Sequence, residues 1–166
     1  MTSETFTFSS IPTTASEIAA LPEATLDTPF KTVALAMLAL LNYEKDPEGT
    51  YAMLDFLRGP EPLNNFGKAF LKERLNGKFY KPFSFFAGAT VANGYKPTEP
   101  LTITVRDNPY SYPEENYALL LVKSSGADSE RQVRLRKKPS TGQWFITGDL
   151  ACLSDIRIPA DQDPWA

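Results

Sequence analysis

The chain has 166 residues, a net charge of -3 from 17 basic and 20 acidic side chains, 42% hydrophobic and 12% aromatic residues, and no histidine. That length fits one domain that buries roughly two-thirds of its unfolded surface without disulfides or metals, and the composition argues against global disorder. The missing histidine removes Ser-His and Cys-His catalysis, the usual zinc and non-haem iron ligand sets and the commonest proton shuttle near neutral pH, while the acidic total gives no overall attraction to nucleic acid.

Residues 1–13 read as an edge strand or a flexible lead, with Phe6 and Phe8 in alternation. Thr14-x-x-Glu17 ahead of the IAAL string has the spacing of a capping box and predicts a short helix. Thr28 then offers a cap, Pro29 sits where a helix tolerates proline, and Phe30 to Leu41 is apolar except for Lys31 and Thr32; a helix apolar all round belongs at the centre of a core. Its longest apolar run, Val33 to Leu41, is about half of what a bilayer crossing requires, so no membrane is expected. Asp46-Pro47-Glu48 repeats the cap-plus-proline start, and Gly59-Pro60 stops that helix. A third helix is predicted from about Leu63 to Leu75, with Phe66 and Phe70 four apart and Asn76-Gly77 closing it.

After Gly77 the pattern changes. Phe79, Tyr80, Phe83, Phe85 and Phe86, broken by Pro82, predict an irregular connection over 78–100 that pins its rings onto the core. From Leu101 the period becomes two, giving strands over about 101–105, Tyr117 to Lys123, Arg131 to Lys138 and Gln143 to Thr147, with connections short enough for an antiparallel meander. The last segment, 151–166, is expected to be docked through Trp165, since an exposed indole leaves much apolar area in water. The whole reads as a single α+β domain: a mainly helical stretch, 14–77, whose roughly three helices pack on one face of an antiparallel sheet of about four strands within 101–150. A cystatin-like or nuclear-transport-factor-like cone is the alternative topology.

Chemistry is narrowed further by what the glycines lack. Gly67-Lys68 is followed by Ala69 and Gly77-Lys78 by Phe79, so neither supplies the hydroxyl of a phosphate-binding loop, and no G-x-G-x-x-G or G-x-S-x-G occurs. Asp161-x-Asp163 lacks the glycine and distal glutamate of a calcium loop, and with Asp149 and Asp155 reads as solvated acidic surface; no metal or cofactor is expected. Cys152, the single cysteine, forms no disulfide within the chain and reads as a small buried hydrophobe. A lone cysteine and an N-terminus without a basic-then-apolar leader place the expected location in the cytoplasm.

Candidate binding residues come from two stretches. VRLRKKPSTGQWFIT (133–147) puts Arg134, Arg136 and Lys138 on one strand face, with Lys137 interrupting the apolar row and Trp144 returning after a Pro-Ser-Thr-Gly turn. NPYSYPEENY (108–117) sets Tyr110, Tyr112 and Tyr117 around Pro109 and Pro113, where rings with a polar tip can serve a binding cleft. Both also have plain explanations, a solvated sheet face that discourages edge pairing and a loop covering a sheet edge. Three functions remain: a non-catalytic module that binds a protein partner or anionic ligand; a histidine-independent hydrolase built on two carboxylates roughly 5–10 Å apart; and a nucleic-acid binder using Arg131, Arg134, Arg136, Lys137 and Lys138 with Trp144 as stacking platform. The acidic total ranks the third below the first. The geometric question is whether Trp144 points to the core or stands beside Arg134 and Arg136.

The strings FLRGPEPL (56–63), KPFSFFAGAT (81–90), NPYSY, SSGADSERQVRLRK (124–137), GQWF (142–145) and IRIPADQDPWA (156–166) together resemble an uncharacterised family of small bacterial proteins, found mainly in anaerobic gut bacteria and catalogued as a domain of unknown function. The likeness covers roughly residues 20–166. It implies a bacterial origin and one self-contained domain, and carries no activity, cofactor or catalytic residue with it.

Overall fold

The computed structural model describes all 166 residues. In chain order they form strand β1 (Ser3–Phe8), helices α1 (Ala15–Ala19), α2 (Pro29–Leu40), α3 (Pro47–Arg58) and α4 (Asn65–Leu75), then strands β2 (Leu101–Arg106), β3 (Tyr117–Val122), β4 (Arg131–Lys138) and β5 (Gln143–Ile146). The sheet is antiparallel in the order β1-β2-β3-β4-β5 and curls around α2, which touches β2, β3 and β5. The α+β class therefore stands, with a fifth strand beyond the expected four.

Helix starts follow the cap chemistry. The Thr14 hydroxyl accepts from Glu17 N at 3.1 Å, while the Glu17 carboxylate reaches back one residue further than a capping box requires, to Thr13 N at 2.7 Å. Thr28 caps α2 and Asp46 caps α3, each followed by proline at the first helical position, where its missing N–H is no loss. All of α2 except Lys31 is buried, as an apolar-all-round helix must be. Its one buried hydroxyl, Thr32, is satisfied by donating to Trp144 O at 2.7 Å.

Helix α4 buries a set of residues other than the Phe66/Phe70 pair. Its buried residues are Gly67, Leu71 and Leu75, spaced by four, and Phe66 is 68% exposed. The stripe i, i+4, i+8 turns Phe66 outward, so the Phe66/Phe70 pair does not face the core; Phe70 instead carries the Arg74 guanidinium at 4.7 Å.

Strand β1, in the stretch that reads from sequence as an edge strand or a flexible lead, pairs with β2 along its whole length, setting Phe6 opposite Ile103 and Phe8 opposite Leu101 on the core face. On the outer face Thr5 meets Thr104 with hydroxyl oxygens 2.8 Å apart. At the other edge, β5 is covered: Trp144 N donates to Leu26 O at 2.8 Å, and its carbonyl takes the Thr32 bond already described. In the aromatic connection Phe85 and Phe86 enter the core, and Tyr80 stacks on the buried Tyr95 with centroids 5.4 Å apart.

The last segment corrects the expectation of a docked tryptophan. Cys152, Leu153 and Ile156 are buried, Arg157 N donates to Gly126 O at 2.9 Å, Tyr95 Oη donates to Arg157 O at 2.6 Å, and Ala160 N donates to Val91 O at 3.0 Å. Docking ends there. Trp165 is 93% exposed, and its backbone N–H donates to the Asp163 carboxylate at 2.8 Å in a local turn.

Candidate functional site

Strand β4 sorts its cations by register. Leu135 lies opposite Ile146 and Lys137 opposite Trp144, on the core side; Arg136 lies opposite Phe145 and Tyr117, on the outer side. Trp144 therefore faces inward, with the Lys137 ammonium 5.9 Å from its ring, and does not stand beside Arg134 and Arg136. Arg131, opposite Val122, is also on the core side, where its Nη2 donates to Asp155 O at 3.0 Å. The five cations of the stretch are thus divided: Arg134, Arg136 and Lys138 look outward, Arg131 and Lys137 do not. A continuous basic face with an indole platform, the arrangement a nucleic-acid surface needs, is not formed.

What the register does build is a row across three strands, Tyr117–Arg136–Phe145. The Arg136 guanidinium carbon sits 5.5 Å from the Tyr117 ring centre. Over this row folds the loop that ends α3. Gly59, at φ 62°, brings its backbone so near Phe145 that a Cβ there would stand 2.6 Å from the ring, which is the physical reason for glycine at this turn. Between loop and hairpin lies a cleft of about 250 Å³, whose side chains include Arg58, Pro60, Glu61, Arg136, Lys138 and Phe145.

The electrostatics of the cleft are one-sided. Arg136 and Lys138 face it from the outer side of β4 and Arg58 from the end of α3, against the single carboxylate of Glu61, while the side chain of Lys137 turns to the core side beside Trp144. Arg58 is fully engaged as a clamp: Nε donates to Glu61 O at 3.0 Å and Nη1 to Gly148 O at 2.7 Å, tying the end of α3 to the exit of β5. Glu61 approaches Arg136 at 3.7 Å, but the two side chains are 65% and 56% exposed, so the pair contributes about 0–1 kcal/mol and yields readily to a competing anion.

Of the residues singled out from sequence, the structure brings Arg136 and Lys138 into this cleft. Arg134, one row along the strand, lines a shallower groove with Arg131 and Asp149. Tyr110 is 82% exposed on the β2–β3 loop, and Tyr112 is half exposed, with partial burial first and its hydrogen bond to the Asp107 carboxylate at 3.1 Å second pushing its phenol up to about 12; neither tyrosine lines the cleft. Sequence reasoning missed Arg58, Glu61 and Phe145, while Tyr117, raised with Tyr110 and Tyr112, falls in the row beside Arg136. The Gly59-Pro60 stop flanked by Arg58 and Glu61 was visible, but nothing local tells which strand such a loop will cover. Cys152 is buried, and burial pushes its thiol up to about 12, in keeping with a packing role.

No curated protein and no solved structure matches the chain. A family model matches residues 10–160, and the chain accordingly belongs to the family described as Domain of unknown function (DUF6935).

Proposed function

We propose that the protein is a non-catalytic binding module whose binding surface is the cleft between the Arg58–Glu61 loop and the β4–β5 hairpin. The ligand is an acidic segment of a partner protein that inserts an aromatic side chain. One observation carries this reading: the outward-facing Arg136 and Lys138 converge with Arg58 on a recess floored by Phe145, and the only carboxylate among them forms a weak, exposed pair. Volume decides the ligand class. At about 250 Å³ the recess is below the roughly 300–1,000 Å³ of small-molecule and cofactor sites, yet it holds one large side chain with carboxylates placed at the rim. Aromatic and arginine anchors are the groups that dominate such contacts.

The test is isothermal titration of the protein with a synthetic peptide carrying one tryptophan between aspartates. Binding is expected, weakened at least tenfold by Arg136→Ala together with Lys138→Ala and by raising salt from about 0.05 to 0.5 M. Glu61→Gln is expected to strengthen it a few-fold by removing the competing carboxylate. Affinity indifferent to all of these changes would place the binding surface elsewhere.

A further inference from the structure

The protein carries a segment with the chemistry that this cleft selects. Ala160-Asp161-Gln162-Asp163-Pro164-Trp165 presents two carboxylates and an indole that is 93% exposed, the most exposed large ring in the molecule. Its start is held by the buried Pro159 and by Ala160 N, which donates to Val91 O at 3.0 Å, and Asp161 and Gln162 share a groove with Glu44, Phe79 and Tyr80. None of these neighbours lines the Arg136/Lys138 cleft, so the segment's first turn lies apart from the molecule's own cleft.

We infer that the Asp161–Trp165 segment of one copy docks in the Arg136/Lys138/Phe145 cleft of a second copy, so that the protein associates with itself through this exchange. The inference rests on the cleft being a binding surface and names its partner. Two features support the fit. Charge is complementary, with Asp161 and Asp163 meeting Arg136 and Lys138 while Glu61 is displaced from its 3.7 Å approach. Apolar area is complementary too, because the exposed indole finds Phe145 and the prolines Pro60 and Pro139. Two copies exchanging segments about a two-fold axis use both contacts and close; a one-way contact propagates.

Sedimentation velocity of the full chain over about 5–500 µM tests this. Association is expected to strengthen with concentration and to weaken at least tenfold in Trp165→Ala, in Arg136→Glu/Lys138→Glu and in high salt. All of these positions are exposed or at the rim, so the variants fold. A mixing experiment identifies the contact: Arg136→Glu/Lys138→Glu and Asp161→Lys/Asp163→Lys are each expected to be monomeric alone and to associate when combined, because the reversed segment then meets the reversed cleft. A chain that stays monomeric throughout, or associates regardless of Trp165, overturns the inference. Titration of the isolated 160–166 peptide separates the two levels. Peptide binding with a monomeric full chain sinks self-association and leaves the cleft as a binding surface, whereas a peptide that does not bind sinks the self-docking inference and leaves other acidic partners to the titration proposed above.

Discussion

Gly59 and Phe145 meet at the tightest point of the cleft. A side chain at Gly59 faces two separate costs, a backbone at φ 62° that L residues rarely adopt and a ring where the Cβ would stand. Gly142, in the β4–β5 turn at φ 75°, has the first cost without the second, since nothing lies within 4 Å. Urea unfolding is expected to show Gly142→Ala less stable by about 1 kcal/mol and Gly59→Ala by about 2–4 kcal/mol. Equal losses would mean that Phe145 moves aside freely and does not floor a fixed recess. At this scale the sequence exposed Arg136 and Lys138, because strand alternation alone puts them outward. It could not expose Arg58 or Glu61, whose roles depend on where a loop about 75 residues away lands.

Among the elements, α2 and α4 behave oppositely although both are rich in large apolar residues. Leu38 of α2 has no exposure, and Phe66 of α4 is mostly in water. Leu38→Ala is expected to destabilise by about 2–5 kcal/mol, the transfer loss plus a cavity that the surrounding core cannot close. Phe66→Ala is expected to stay within about 0.5 kcal/mol, as surface changes do, and chemical denaturation distinguishes the two. A large loss at Phe66 would show that α4 has another face against the body. Continuous apolar sequence located α2 without ambiguity. In α4 two interleaved spacings of four, Phe66/Phe70 and Gly67/Leu71/Leu75, competed, and only tertiary packing, which buries the second set, decided between them.

For the molecule as a whole, the buried acids make alkaline pH the vulnerable side. Burial, aided by the Tyr51 hydroxyl 3.1 Å away, raises the Tyr43 phenol far above its ordinary 10.0; burial also raises Tyr80 and Tyr95 and pushes the Cys152 thiol from 9.0 to about 12. Between the ordinary and the raised values the folded chain keeps protons that the unfolded chain has released, so unfolding becomes more favourable as pH rises. These groups contribute fully below pH 9 and lose their contribution progressively above it. Melting temperature is expected to fall steadily from about pH 9.5 to 11, with the 295 nm tyrosinate absorbance of the buried rings, over and above that of the exposed Tyr110, appearing together with unfolding. Ionisation of Tyr43, Tyr80 and Tyr95 in a still-folded chain would contradict the burial of these rings.

Helix caps, the buried helix, four of the strands and the facing of Arg134, Arg136 and Lys138 were decided by the sequence itself, because each rests on interactions within a few residues: a hydroxyl three positions ahead of an N–H, or side chains alternating across a pleat. The union of β1 with β2, the inward turn of Trp144 toward Lys137, the lid of Gly59 over Phe145 and the release of Trp165 into solvent were decided only by tertiary structure. Each depends on which distant segments share space, which no stretch of a few residues determines.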